Sequence, residues 1–202
     1  MLEADDLRCE RGGRELFRGL SFTLKAGEAL RIEGTNGSGK TSLLRILCGL
    51  LSPMEGKLRW RGSEIVHLGE DYAKELVYLG HAAAVKDDLT AAENLAIACR
   101  LAGEAPTGES VQEALERFGL SGKEAAVKRL SQGQRRRAAL ARLALSAMRP
   151  LWLLDEPFSA LDAAGVSVLN GLILDHAARG GATVFTTHQD AGTPHSRVIG
   201  LG

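Results

Sequence analysis

The stretch GTNGSGKT, Gly34 to Thr41, sets a glycine-rich turn directly before a lysine and a threonine. It fits the spacing G-x-x-x-x-G-K-S/T, which holds phosphate where a strand passes through a turn into a helix. Glycine lets successive backbone N–H groups curl around phosphate oxygens, and the following helix aims its positive end at the same point. Gly34, Thr35, Asn36, Gly37, Ser38, Gly39, Lys40, Thr41 and Ser42 are therefore candidate nucleotide-binding residues. Lys40 would neutralise the β- and γ-phosphates, and Thr41 would offer its hydroxyl to Mg2+.

A second stretch, LLDEP, puts Asp155 and Glu156 at the end of an apolar run. Buried acids without a partner are costly, so two in succession at a strand end suggest a cation and a reaction. Asp155 would hold Mg2+, directly or through water, and Glu156 would polarise an attacking water as general base. Alone, LLDEP is also a common turn sequence. The phosphate loop elsewhere in the chain favours the catalytic reading.

The third stretch is LSQGQRRRAALARLAL, Leu130 to Leu145. Ser131 and Gly133 stand where a helix begins, so a hydroxyl, glycine amides and a helix N-terminus form a second anion site. One chain already has a phosphate cradle, and the economical reading is that this second site completes the nucleotide of another copy. Leu140, Leu143, Ala144 and Ala147 give the helix its buried stripe. The run Arg135–Arg137 reads as a solvated face rather than a nucleic-acid contact.

The elements that position these groups follow from periodicity. EALRIEG (Glu28 to Gly34), LWLLDE (Leu151 to Glu156) and ATVFTTH (Ala182 to His188) read as strands, and KTSLLRILCGLL reads as a helix. Apolar strands alternating with helix-period segments predict a parallel sheet wrapped by helices. LRCERGGRELFRGLSFTLKAGE alternates like an antiparallel sheet at one edge. Between about residues 89 and 130 the chain turns alanine-rich and charged, opening at Thr90 with Glu93 in a capping-box pattern. This is expected to be a helical subdomain inserted in an α/β core made of residues 1–88 and 131–202. Trp60 and Trp152 read as core, and His67, His176 and His195 as surface residues.

Composition narrows the field. The 202 residues carry 25 basic and 25 acidic side chains, so no net field draws the chain to nucleic acid or an anionic membrane. Cys9, Cys48 and Cys99 lie far apart, as reduced thiols of a cytoplasmic protein do. The acidic N-terminus has no apolar signal-peptide core. Ala138 to Leu154 is broken by Arg142, Arg149 and Pro150 and cannot span a bilayer alone. Work at a membrane would need a partner there.

In order and spacing these motifs resemble the ATP-binding subunits of ABC transporters over essentially the whole chain. The resemblance implies a P-loop NTPase core of ABC ATPase type, α/β, with an edge antiparallel β-subdomain and an inserted helical subdomain. It implies that Leu130–Gln134 is the signature, adding Gln134 to Ser131 and Gly133 as nucleotide contacts. SALD, Ser159 to Asp162, matches the loop that crosses the dimer interface. His188 matches the switch histidine that meets the γ-phosphate, giving Glu156, His188 and Lys40 as catalytic residues.

A narrower likeness is to CcmA-type subunits of cytochrome c maturation, carried by CER at Cys9–Arg11, YLGH at Tyr78–His81 and TTHQ at Thr186–Gln189. It implies a homodimer formed on ATP binding at the cytoplasmic face of a bacterial inner membrane. The implied partners are a CcmB-like membrane subunit with CcmC and CcmD. The implied work is release of the heme-loaded chaperone CcmE, with no heme bound by this chain. Two other readings share the motifs: the ATPase of another small ABC exporter, and a regulatory module that closes on ATP but hardly hydrolyses it.

Two residues depart from the usual family pattern. Where most relatives stack an aromatic ring on adenine, this chain has Arg11, whose planar guanidinium can also stack. The alternative is a solvated arginine with Phe17 in the core. His81 falls where most relatives place a glutamine that reaches Mg2+ and water, and Ala82 follows it. Imidazole can hydrogen-bond water, giving His81 a nucleotide-sensing role, or it can simply pack at the strand end.

Overall fold

The computed structural model describes residues 1–122, 125–188 and 196–201. The alternating front of the chain forms β1 (Leu2–Arg11) and β2 (Arg14–Leu24), an antiparallel hairpin whose register pairs Arg11 with Arg14. Its two-residue turn is Gly12-Gly13, both at positive φ, the backbone twist that such tight hairpins need. β3 (Ala29–Gly34) enters the interior, and α1 (Lys40–Leu47) leaves it after the glycine turn. β4 (Glu55–Trp60) and β5 (Ser63–Glu64) return to the first sheet, whose order is β2-β1-β4-β5.

Short helices α2 (Ile65–Leu68) and α3 (Glu70–Lys74) lead into β6 (Leu76–Leu79). The helical region holds α4 (Ala91–Leu101), α5 (Gly108–Arg117), α6 (Gln132–Leu140) and α7 (Arg142–Leu145). β7 (Leu151–Leu154), α8 (Ala163–Ala178), β8 (Ala182–Thr186) and β9 (Ser196–Leu201) complete the chain. β6, β7, β8, β3 and β9, in that order, make a parallel sheet. The edge strand β9 was not anticipated, because its mixed exposure leaves little apolar periodicity to read.

The parallel sheet divides the core because successive side chains of a strand point to opposite faces. Leu151 and Leu153 of β7 pack with Leu30, Ile32, Val184, α1 and the antiparallel sheet. Trp152 and Leu154 of the same strand pack with Phe185, Leu169, Ile173 and the helical region. LWLL is apolar throughout because both faces are covered. Thr90 caps α4 by accepting from the Glu93 amide while Glu93 accepts from the Thr90 amide, as the capping-box pattern predicts. α4 and α5 also pack on α7, so the helical layer continues past residue 130.

One histidine corrects the reading from sequence. His176 is 1% exposed, not a surface residue. Its ring stacks on Trp152 with centroids 3.8 Å apart and planes 3° from parallel. Nε2 donates to the Arg149 carbonyl at 2.8 Å, which leaves Nδ1 to accept from Thr183 Oγ1 at 3.2 Å. A Cβ at Gly181 would collide with this ring, which is why the helix stop is glycine. His67 is exposed as expected, and His195 lies outside the described residues. Trp60 and Trp152 are core residues, and removing the Trp152 ring should cost about 3–5 kcal/mol.

Burial pushes the His176 imidazole below its ordinary value; the Arg149 carbonyl opposes the shift and Arg179 adds to it. A group depressed in the fold contributes stability above its unfolded value, and that stability is lost as pH falls through the lower folded value. Between about pH 7.5 and 5, chemical denaturation should therefore show a loss of stability that His176→Asn diminishes. An unchanged pH slope in His176→Asn would assign the acid sensitivity to other groups.

Candidate nucleotide-binding site

The glycine turn is shaped by what surrounds it. Gly34 has φ +153, and a Cβ there would collide with Ser38 Oγ and the Leu201 carbonyl. Gly39 has φ +103, and its Cβ would stand 3.0 Å from Leu16 Cβ and 3.1 Å from Phe17 Cδ1. The turn is thus pressed between β9 on one side and β2 on the other. Gly39 caps α1 without a side-chain hydrogen bond, and the first turn has no acidic residue. The amides opening this helix are orphan donors suited to an anion.

Lys40 is 7% exposed and donates to the carbonyls of Gly34 at 2.7 Å and Thr35 at 3.1 Å. Its ammonium therefore lies along the loop whose phosphate it was read to neutralise. Ser38 Oγ is buried without a hydrogen-bond partner among the described residues.

β7 ends at Leu154, so Asp155 and Glu156 stand just beyond the sheet rather than in it. Asp155 is 1% exposed, and its two oxygens accept from Thr41 Oγ1 and Thr186 Oγ1, each at 2.8 Å. The Thr186 hydroxyl also accepts from the Glu156 amide at 2.8 Å. Glu156 leaves the extended region at φ +49. Such a conformation costs about 1–3 kcal/mol and persists only where its surroundings over-determine it. His188 Nε2 approaches Glu156 Oε1 to 3.1 Å, an ion-pair contact when protonated, yet this oxygen is buried and makes no hydrogen bond.

These groups converge. A cavity of about 600 Å³ is lined by Asn36, Gly37, Gly39, Lys40, Thr41 and Ser42 of the glycine turn, together with Asp155, Glu156, His81 and His188. His81 is exposed and faces this cavity from the end of β6. Thr41 and Asp155 form a hydroxyl–carboxylate pair at a helix N-terminus, the hard oxygen donors that Mg2+ prefers. With the glycine-turn amides and Lys40 on one side and Glu156 on the other, the residues present fit a Mg-nucleotide.

Other predicted residues lie elsewhere. Ser131 and Gln134 form a reciprocal capping box at the start of α6, and neither they nor Gly133 line this cavity. A Cβ on Gly133 would stand 2.7 Å from the Ala160 carbonyl, so the signature turn packs against the SALD loop. Asp162 caps α8 through the Gly165 amide at 2.9 Å and pairs with Arg137 at 3.6 Å. Arg11 is exposed at the hairpin and is not among the lining residues; Leu16 is, while Phe17 is buried.

The arginine run is not the solvated face expected of it. Arg135 pairs with Asp87 at 3.0 Å, Arg137 with Asp162, and Arg136 is 6% exposed. Charged residues opening a helix read as solvated only until tertiary partners are known. Thr186, Leu16 and Arg136 were missed as contributors. The one local signal was a polar pair, Thr186-Thr187, closing an otherwise apolar strand.

The model of the ABC transporter family matches residues 17–159. The cytochrome c biogenesis ATP-binding export protein CcmA of Dechloromonas aromatica is 53% identical over 199 residues, covering 98% of this chain and 97% of its own. The CcmA protein of Mannheimia succiniciproducens is 48% identical over 202 residues, covering 99% and 93%. Among solved structures, an ABC transporter ATP-binding protein from Pyrococcus furiosus superposes with a TM-score of 0.86 at 22% identity, over 99% of this chain and 96% of that one. A dimeric ATP-binding cassette bound to ADP and Pi gives 0.82 at 24% identity, over 100% and 94%.

Thr186 supplies a test of the site's construction. Thr186→Val keeps the shape but leaves an Asp155 oxygen and the Glu156 amide without their partner. It should lower stability by about 1–3 kcal/mol in urea denaturation and lower any ATP turnover with it. Wild-type stability in this variant would mean that both groups are satisfied some other way.

Proposed function

Because the chain belongs to the ABC transporter family of ATP-binding subunits, most like CcmA, we propose that it hydrolyses ATP to drive a membrane complex of cytochrome c biogenesis. The observation that carries the hydrolytic reading is the Glu156 carboxylate. It has a buried oxygen without a hydrogen bond, 3.1 Å from His188 and adjacent to the Thr41–Asp155 pair. Glu156 lines the cavity, where its carboxylate can take a proton from an attacking water.

The roles then divide by chemistry. The turn from Gly34 to Ser42 holds the phosphates through backbone amides, and Lys40 leaves its loop carbonyls to meet the β- and γ-phosphates. Thr41 and Asp155 would hold Mg2+, which when bound neutralises charge on the transferred phosphoryl group. Glu156 orients and deprotonates water, and His188 presents an N–H toward the γ-phosphate side. Leu16 of β2, which lines the cavity, rather than Arg11, which does not, is a candidate to contact the base.

Ser131, Gly133 and Gln134 sit at a helix N-terminus outside their own chain's cavity. That position supports the reading that each copy completes its partner's nucleotide in an ATP-bound homodimer, with the Asp162 loop at the interface. The helical subdomain of about residues 89–130 would carry the signature toward that interface. No described helix is long and apolar enough to cross a membrane; the likeness to CcmA export proteins supports an integral partner that receives the work. By likeness to the CcmA proteins that partner is CcmB-like, with CcmC and CcmD, and the product of the work is release of heme-loaded CcmE. His81, on the cavity wall, would report the nucleotide to the surface facing that partner.

Co-purification from membranes followed by an ATPase assay tests this. Glu156→Gln should lower turnover by about a hundredfold or more while ATP is still bound, and equal turnover would remove Glu156 from the base role. His81→Gln should keep partner-stimulated hydrolysis, whereas His81→Ala should weaken it. Full stimulation in His81→Ala would leave the histidine as packing only.

A further inference from the structure

The guanidinium of Arg136 leaves the signature helix and, among the described residues, its two terminal nitrogens bond to backbone carbonyls while Nε is buried without a partner. Nη1 donates to Gly80 at 2.9 Å and His81 at 3.3 Å. Nη2 donates to Asp155 at 2.7 Å and Glu156 at 2.9 Å. One planar group therefore spans the ends of two neighbouring strands, β6 and β7. The last ladder bond between these ends is Asp155 N to Leu79 O at 2.8 Å. Beyond it the carbonyls of Gly80, His81, Asp155 and Glu156 have left the sheet, and Arg136 donates to all four, sharing that of Glu156 with the Ser159 amide at 3.1 Å.

A fork of donors in one plane is the property that separates arginine from lysine here. Burial pushes the Arg136 guanidinium below the usual arginine range, opposed by the nearby charges of Asp155 and Glu156. A charge this buried, bonded only to carbonyls, is an expensive arrangement to keep for helix packing alone, since an apolar side chain would fill the space. What it gains is position. The Glu156 amide is held by Thr186, its carbonyl by Arg136, and the residue between these two bonds has φ +49.

We propose that Arg136 is a positioning residue for ATP hydrolysis, tying the signature helix to the backbone of both Glu156 and His81. The proposal rests on the hydrolytic reading above. The helix that presents Ser131 to a partner's nucleotide cannot shift without pulling on the carbonyls that aim Glu156 and His81 at its own nucleotide. Closure at one site of a dimer is thereby communicated to the catalytic carboxylate of the other. Arg136 does not line the nucleotide cavity and acts through the groups it holds.

The test compares wild type, Arg136→Gln, Arg136→Lys, Glu156→Gln and the Arg136→Gln/Glu156→Gln double variant in the complex co-purified from membranes. Arg136→Gln should lower kcat by about tenfold or more with KM for ATP changed by less than about threefold. Arg136→Lys, which reaches fewer carbonyls, should fall between Arg136→Gln and wild type. In the Glu156→Gln background Arg136→Gln should cause little further loss, because residues that act as a unit are not additive. Wild-type kcat in Arg136→Gln, or losses that multiply in the double variant, would overturn the proposal. So would a parallel rise in KM with the fall in kcat. Should Arg136→Gln fail to fold, Arg136→Lys decides: reduced kcat at constant KM supports positioning, and wild-type kcat overturns it. Glu156→Gln turning over like wild type would instead sink the hydrolytic reading, and this proposal with it.

Discussion

A carboxylate buried to 1% exposure constrains everything around it. Asp155 sits where water cannot solvate it, so its oxygens must be met by protein, and they are met by hydroxyls from two other elements. Thr41 comes from the first turn of α1, and Thr186 from the end of β8. For those hydroxyls to arrive at 2.8 Å, the glycine turn, β7 and β8 must all finish at the same level of the sheet. The parallel register does this, pairing Leu154 with Phe185 and Ile32 with Thr186. Site and sheet are thus one construction, and the carboxylate that would hold a cation is also the bolt between two strand ends and the start of α1.

The same logic extends outward through backbone atoms. Thr186 holds the Glu156 amide, and Arg136 holds the carbonyls on either side of the cavity wall. The catalytic candidate is consequently braced by side chains that do not themselves face a nucleotide. Toward the starts of β7 and β8 His176 has a comparable place, stacked on Trp152 and bonded through both ring nitrogens. In each case a polar side chain inside the fold is tolerated because its hydrogen-bonding capacity is largely used.

Much of the architecture was legible because it is written in local pattern. The glycine turn, the strand LWLL, the capping box at Thr90 and the helix start at Ser131 each depend on residues within a few positions of one another. Lys40, Thr41, Asp155, Glu156, His188 and His81 meet around one cavity as their motifs suggest. Arg11 and Leu16 show the limit of counting: both lie in the first hairpin, but only Leu16 comes against Gly39. The short edge strand β9 was invisible because an edge with mixed exposure has no apolar rhythm.

What the chain's order of residues determined alone is therefore its class of fold and the types of group at its site: a glycine turn with amides suited to an anion, a carboxylate pair, and strands alternating with helices. Those features follow from backbone geometry over short spans, where neighbours in sequence are neighbours in space. Tertiary structure alone decided which polar residues are solvated and which are braces. Three consecutive arginines look alike in sequence, yet one pairs with Asp87, one with Asp162, and Arg136 lies buried across two strand ends. Its four acceptors come from positions 19 to 56 residues away in the chain. A carbonyl carries no sequence identity, so no motif announces that it has been left without a partner. Only the end of a strand in three dimensions does.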